Sequence, residues 1–233
     1  MAAGPAGTPE RPLVVQFDHI IIATTDLERS AARLAETTGL IAVAGGMHDG
    51  LGTHNVIVPL GRGYLELVAA HDGELAQHNP FGQLVLSALV DTDEAFAGWA
   101  VEVDDVALRA RALATDEHPG RLTRRGVGIK HLGIPGAIAS PGLPFILTRD
   151  PGSQKPEAMA VTHRVLPTGV RSLSLAESRS ELDHWLATPE TSVDPPLTVT
   201  CVGTGRGIIS VEIASAGGIL TLTAAEPSKG TRE

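Results

Sequence analysis

Short apolar segments alternate along the chain with polar segments that begin with helix-capping residues. Residues 13–22 are rich in β-branched side chains, which favours a strand. Thr25 with Glu28 three residues later forms a capping-box pattern, and Gly39 marks the end of the predicted helix. Three short strands are then predicted at about residues 40–45, 54–60 and 63–70.

The same order of elements recurs twice. The second unit starts near Trp99, with Asp104 or Asp105 as the helix cap. The third has a strand at 170–175 and a helix capped by Ser178, and its glycine-rich residues 203–207 are predicted to form a hairpin turn. The pattern predicts an α+β fold of repeated βαβββ modules. We expect paired modules over 13–150, an additional module over 160–225, and flexible tails at 1–12 and 226–233.

Composition narrows the functional classes. The 233 residues include 18 Lys and Arg against 27 Asp and Glu, a net charge of −9 that argues against nucleic-acid binding. The single cysteine, Cys201, excludes an internal disulfide framework. No apolar stretch has the length needed to cross a bilayer, so we expect a cytoplasmic protein without a membrane partner.

The third unit has no fourth unit with which to pair. Its apolar face must be covered either by the first two modules or by another subunit, and we expect a homodimer. The residues predicted to form this face are Leu173, Leu175, Ile209 and Val211.

Histidines are the strongest indication of chemistry. His19 lies within a predicted strand, where the two-residue period places Asp18 on the opposite sheet face. Glu66 lies in another apolar strand, where a buried carboxylate is costly unless it is paired or bound to a cation. Histidine and glutamate on neighbouring strands can hold a divalent metal. The alternative is a hydrogen-bonded core histidine and an edge-strand charge.

A glycine-rich segment at residues 45–55 contains His48, His54 and Asn55. Glycine lets the backbone approach a ligand closely, and these side chains supply donors and acceptors. The segment is therefore a candidate ligand-binding loop. A glycine-rich hairpin with incidental histidines is the alternative.

Four segments together resemble the glyoxalase-like proteins of the vicinal oxygen chelate superfamily. The resemblance is good over residues 13–70, fair to about 150 and weaker beyond. It implies paired βαβββ modules whose curved mixed sheets enclose a pocket. The segments are Phe17–Ile22, Asp26–Ala31, His48–Asn55 and Tyr64–Leu67.

The resemblance also implies a metal site. In metal-binding members the ligands come from the first and last strands of two modules, which makes His19 and Glu66 ligands here. In the second module the corresponding first-strand position falls near Gly98 or Trp99, and the last-strand position falls near Phe145 or Ile146. None of these side chains can bind a metal ion. A four-ligand site is therefore incomplete. We take His54 as the third member of the site and His48 as a weaker candidate.

The implied function is that of a glyoxalase-like lyase, isomerase or dioxygenase acting on a small oxygenated molecule. A divalent metal would stabilise an enolate-type intermediate, and the pocket can also work without one. Glu66 would be the catalytic residue, with His48, His54 and Asn55 binding the substrate. The alternative is a non-catalytic protein that sequesters a small molecule.

Overall fold

The computed structural model shows two β-sheets with short helices packed against them. The predicted tails at 1–12 and 226–233 fall outside the part of the chain that it describes. The described residues are 15–124, 127–186, 193–194, 197–203 and 205–224.

The first two units build one large sheet. The first unit comprises β1 (Val15–Thr24), α1 (Leu27–Thr38), β2 (Val43–Met47), β3 (Thr53–Pro59) and β4 (Tyr64–Ala70). Two helices, α2 (Gly73–Gln77) and α3 (Pro80–Ala88), lead to the second unit. That unit comprises β5 (Glu94–Val103), α4 (Val106–Ala112), β6 (Gly120–Arg124), β7 (Val127–Leu132), α5 (Ile134–Ala139) and β8 (Phe145–Arg149).

Both units use the same strand order. The large sheet runs β2-β3-β4-β1-β5-β8-β7-β6, with β1 and β5 antiparallel at its centre. In each half the last strand lies parallel beside the first, β4 next to β1 and β8 next to β5. The predicted α+β fold of curved mixed sheets is confirmed.

Helix caps agree with the sequence at most positions. Asp105 accepts hydrogen bonds from two backbone N–H groups at the start of α4, and the hydroxyl of Ser178 accepts one from Glu181. The cap of α1 is Asp26 rather than Thr25, with the Arg29 N–H donating to its carboxylate over 3.0 Å. The prediction of Thr25 was therefore wrong by one residue.

The third unit has its own sheet with a different strand order. It comprises β9 (Pro167–Ala176), α6 (Arg179–Leu186), β10 (Val193–Asp194), β11 (Thr198–Cys201), β12 (Gly207–Ser215) and β13 (Gly218–Thr223). Its order is β11-β9-β12-β13, while β10 pairs with β1 of the large sheet. Since β9 separates β11 from β12, the residues between those two strands do not form the predicted hairpin turn.

The apolar face of the third unit is covered within the chain. Leu173, Leu175 and Val211 are fully buried in a core that they share with Leu65 and Trp99 of the large sheet. Covering this face therefore does not require a second subunit. The need to cover this face is therefore no longer an argument for a homodimer, and the homodimer stays a prediction.

One residue predicted for this face lies elsewhere. The pairing of β12 with β9 shifts register between Ile208 and Ser210. Because of this bulge, Ile208 is buried at 2% exposure and Ile209 is only partly buried.

Side chains also tie the third unit and its linker to the large sheet. His163 Nδ1 accepts a hydrogen bond from the Ile41 N–H at 2.8 Å, and its Nε2 donates to the Pro59 carbonyl at 2.7 Å. Trp185 Nε1 donates to the Pro144 carbonyl at 2.6 Å. These bonds fix the linker and α6 against both halves of the sheet.

The described helices are short, and α1 has 12 residues. A helix that crosses a bilayer needs about 20 predominantly apolar residues. Among the described residues, no helix has the length and apolar character to span a membrane.

The shared core predicts an unequal response to leucine truncation. Leu173→Ala removes a fully buried side chain and should lower the free energy of unfolding by about 2–5 kcal/mol. Leu166→Ala, at a leucine that is 70% exposed, should change it by less than about 0.5 kcal/mol. Urea titration followed by circular dichroism measures both. Equal losses would show that the third sheet does not share the core.

Candidate active site

The site lies on one face of the large sheet where β1 and β4 run side by side. His19 pairs with Tyr64 and Ile21 with Glu66, so His19 and Glu66 project from the same face. His19 Nε2 lies 3.3 Å from Glu66 Oε2. Both side chains are buried, at 3% and 4% exposure. The structure thus brings together the two residues on which the sequence interpretation centred.

His48 and Asn55 approach the other oxygen of Glu66. Asn55 in β3 faces the same side as Glu66, and its amide Nδ2 donates to Glu66 Oε1. His48 Nε2 lies 3.3 Å from the same oxygen, while its Nδ1 is 2.8 Å from Thr53 Oγ1. The Glu66 carboxylate is therefore contacted on both oxygens.

His54 does not belong to this group. It directly precedes Asn55, so the two-residue period of β3 turns it to the opposite face. Its ring lies 5.7 Å from that of His71, centroid to centroid. His54 therefore lies apart from Glu66, and its role as a metal ligand and substrate-binding residue stays a prediction. His48, the weaker candidate, lies beside Glu66 instead.

Asp18 also departs from the predicted alternation. The pairing of β1 with β5 shifts register between Phe17 and His19, which indicates a bulge at Asp18. The Asp18 carboxylate consequently lies beside the His19 ring, with Oδ1 2.5 Å from Nδ1. Arg149 at the end of β8 donates to both Asp18 oxygens. Asp18 was predicted to face the other side of the sheet, which is wrong because of the bulge.

Three contributors were not identified from the sequence: Asp18, Arg149 and Tyr64. Tyr64 stacks on His19 with ring centroids 4.7 Å apart, and Arg149 Nη2 donates to its hydroxyl over 3.2 Å. Tyr64 is the only tyrosine of the chain, and Arg149 follows an apolar strand. The single tyrosine and the arginine after an apolar strand could therefore have been noticed in the sequence. The bulge at Asp18 could not, because it does not change the hydrophobic periodicity.

Charge is stabilised at the centre of the site despite burial. Burial opposes ionisation of His19, but Asp18 and Glu66 outweigh it and raise the pKa of the imidazole. For Glu66, burial acts to raise the pKa, yet His19 and His48 hold it well below its usual range. The pKa of Asp18 is lowered in the same way by His19 and Arg149. The imidazole of His19 thus lies between two carboxylates that favour its protonated form over the neutral one.

One atom in this network lacks a hydrogen-bond partner. His19 Nε2 is buried and within ion-pair distance of Glu66, but the geometry is not that of a hydrogen bond. A buried donor without a partner costs about 1–3 kcal/mol. A ligand oxygen in the adjoining cavity would satisfy it.

Two cavities that share lining residues adjoin the site. The inner cavity, of about 40 Å³, is lined by His19, His48, Glu66 and apolar side chains that include Phe81 and Phe145. The outer cavity, of about 230 Å³, shares Tyr64, Ile129 and Arg149 with it. A groove of about 590 Å³ beside α1 contains none of the site residues.

Among the described residues, β5 and β8 place no metal-binding side chain on this face beside His19 and Glu66. Ala100 and Gly98 of β5 pair with His19 and Ile21, so they occupy the equivalent positions on this face. Phe145 and Leu147 of β8 line the inner cavity. The expected absence of second-module ligands thus agrees with the residues at these positions.

The donor set does not fit a divalent metal. Among the described residues, no group of three or more His, Cys, Asp or Glu side chains is arranged to hold an ion. We therefore derive no catalytic step through a metal.

Residues 17–189 match the family model described as a glyoxalase-like domain, and the chain belongs to that family. The resemblance inferred from the sequence is therefore confirmed. The comparison with curated proteins gave no match.

The chain is similar to several solved structures at low sequence identity. A hypothetical protein from Staphylococcus aureus is 14% identical, with 89% of this chain and 98% of that chain covered and a TM-score of 0.59. Methylmalonyl-CoA epimerase from Mycobacterium tuberculosis is 20% identical, with 59% and 89% covered and a TM-score of 0.40. A single-residue variant of Streptomyces coelicolor methylmalonyl-CoA epimerase, in complex with 2-nitronate-propionyl-CoA, is 18% identical, with 60% and 99% covered and a TM-score of 0.44.

A buried histidine outside the charged network predicts a pH dependence. His131 in β7 is 7% exposed, and burial lowers its pKa to about 4. The unfolded chain binds this proton near pH 6.5, so the unfolded state holds more protons between pH 6.5 and about 4. The contribution of His131 should therefore make the protein less stable as the pH falls through this range.

The measurement is the free energy of unfolding of wild type and His131→Gln at several pH values. The stability of wild type relative to the variant should decline from pH 7 to pH 4.5. His118→Gln, at an exposed histidine, is the matched control. A difference that stays constant with pH would contradict the neutral buried state of His131.

The set of donor side chains also predicts that the thermal stability of the protein does not depend on a metal ion. Dialysis against EDTA should leave the Tm of the purified protein unchanged, and added Zn²⁺ or Mn²⁺ should not raise it. Elemental analysis should find less than one metal ion per chain. Stoichiometric metal that is lost in Glu66→Gln would show that the site rearranges to bind an ion.

Proposed function

We propose that this protein is an enzyme that removes a proton from the carbon next to a carbonyl group in a small oxygenated molecule. The observation that carries the proposal is the buried His19 Nε2, which has no hydrogen-bond partner and lies 3.3 Å from Glu66 Oε2. Both side chains line one small cavity, where the imidazole would act as a cationic donor and the carboxylate as an anionic acceptor. These are the two groups that enolate formation requires.

His19 acts on the carbonyl oxygen. Its Nε2–H donates a hydrogen bond to this oxygen, and the bond strengthens as negative charge develops there. The positive charge of the ring serves the role that a metal ion would have in a chelating member of the family. This step needs no ligand from the second half of the sheet.

Glu66 accepts the proton. In the absence of substrate the nearby histidines keep its pKa low, which makes the carboxylate a weak base. When the substrate oxygen engages His19 Nε2, the imidazolium is shared and its stabilisation of Glu66 weakens, so the basicity of the carboxylate increases. The C–H proton moves to Glu66, and the electron pair of that bond becomes the enolate.

Asp18 and Arg149 position the ring. Asp18 binds His19 Nδ1 at 2.5 Å, which directs Nε2 towards Glu66. Arg149 in turn holds both oxygens of Asp18. This arrangement fixes the orientation of the imidazole before the substrate arrives, which reduces the reorganisation needed in the reaction.

A non-catalytic binding protein is the second candidate. The observation that favours it is the apolar side chains, such as Phe145 and Leu147, that β8 places in the inner cavity. Such a wall holds a ligand without taking part in chemistry. Under this alternative the charged network only orients the ligand.

Exchange of C–H protons with D₂O distinguishes the two candidates. Wild type should catalyse exchange next to the carbonyl of a small ketone, followed by proton NMR. Glu66→Gln nearly preserves volume but removes the acceptor, so exchange should slow by about 100-fold or more. Glu36→Gln, at an exposed glutamate of α1, should retain the wild-type rate.

Two outcomes would count against the enzyme. Exchange at the same rate in wild type and Glu66→Gln would remove Glu66 from the mechanism. Tight binding of a ligand without any exchange in wild type would favour the sequestering protein.

A further inference from the structure

We infer that the linker before the third unit forms the wall that selects the substrate, and that the substrate is an uncharged carbonyl compound with an apolar group. The selecting wall consists of Gln154, Pro156 and Met159, which line the outer cavity. The inference rests on the proposed function only for the position of the carbonyl at His19. The apolar group would occupy the outer cavity.

The outer cavity suits an apolar group. Val127 and Ile129 of the sheet face Pro156 and Met159 of the linker across it. Both cavities are small beside the roughly 300–1,000 Å³ of sites for drug-sized ligands. The enclosed part of the substrate is therefore compact, on the scale of one aromatic ring.

The selecting wall is held in place by its own contacts. Lys155 Nζ binds Glu102 Oε2 of β5 at 2.5 Å, and Pro156 between the lining residues is buried. The hydroxyl of Ser153 donates to the Asp150 carbonyl at 2.6 Å. The linker thus forms a defined side of the cavity.

The charges around the cavities are already balanced. Arg149 binds Asp18 with both Nη atoms, and its Nη1 lies 3.3 Å from Glu102 Oε2. His19 lies between Asp18 and Glu66. Among the described residues, each ionised side chain that lines either cavity has an opposite charge beside it.

This balance selects against a charged substrate. An ion that leaves water for a buried site needs a counter-charge or several hydrogen bonds, and its desolvation is otherwise costly. A neutral carbonyl compound needs no counter-charge and only one hydrogen-bond donor, the role that the proposed function gives to His19 Nε2. A ketone or aldehyde is therefore favoured over a carboxylate of the same shape.

Binding to the full chain tests the inference with three small probes. The probes are 1-phenylpropan-2-one, acetone, which lacks the ring, and phenylacetate, which replaces the ketone by a carboxylate. NMR titration should show that the phenyl ketone binds about tenfold tighter than either of the others. Tighter binding of phenylacetate, or equal binding of all three, would overturn the inference.

Substitutions at Met159 test the selecting wall itself. Met159→Trp fills the outer cavity and should weaken binding of the phenyl ketone about tenfold. Leu166→Trp, at a leucine that is 70% exposed and lines neither cavity, is the control and should leave binding unchanged. Equal effects of the two substitutions would show that the linker does not select the ligand.

A second variant covers the case in which Met159→Trp fails to fold. Met159→Ala enlarges the outer cavity and should shift preference about tenfold towards 1-(naphthalen-2-yl)propan-2-one over the phenyl ketone. An unchanged preference in this variant would contradict the inference.

These binding results are separable from the proposed chemistry. If the phenyl ketone binds in a Met159-dependent way but its protons do not exchange, the selecting wall stands and the proposed enzyme fails. If protons exchange but substitutions of Met159 change neither affinity nor preference, the enzyme stands and the inference fails.

Discussion

The contact between His19 and Glu66 is the constraint on which the centre of the molecule depends. Both side chains are buried in a sheet whose other members are mostly apolar, and neither charge could be buried there alone at an acceptable free energy. Their mutual stabilisation requires β1 and β4 to be adjacent and in the observed register, because a shift by one residue would place them on opposite faces. The register of the first module and the chemistry of the site are thus fixed by one interaction.

The bulge at Asp18 links the contact between His19 and Glu66 to the second half of the large sheet. It turns a second carboxylate towards His19, and that carboxylate in turn needs Arg149 from the last strand of the second module. The two halves therefore cooperate in one charge network, although the second half places apolar residues where a chelating site would have ligands. Asp18 and Glu66 raise the pKa of His19, so the imidazole can offset their charge in a site that has no further donors from the second half.

Much of the fold follows from the sequence because capping residues and apolar periodicity are local signals. Asp105 and Ser178 are recognisable as caps from their neighbours alone, and the two modules of the large sheet follow from repeated patterns. His54 was misplaced because the histidines could not be assigned to a face until the register of β3 was known. Asp18 was misplaced because a bulge breaks the two-residue period without any change in composition. The position of β9 between β11 and β12 could not be predicted from the sequence either, because strand order depends on long-range packing.

The central position of β1 has a consequence for how the protein reaches its native state. The strand that carries His19 pairs with β4, with β5 and, through Val15 and Val193, with a segment near the far end of the chain. During synthesis the edge of β1 that pairs with β5 stays open until the second module has begun to leave the ribosome, and pairing over such separations is slow compared with local pairing. The nascent first module thus presents an apolar strand edge at which aggregation competes with folding.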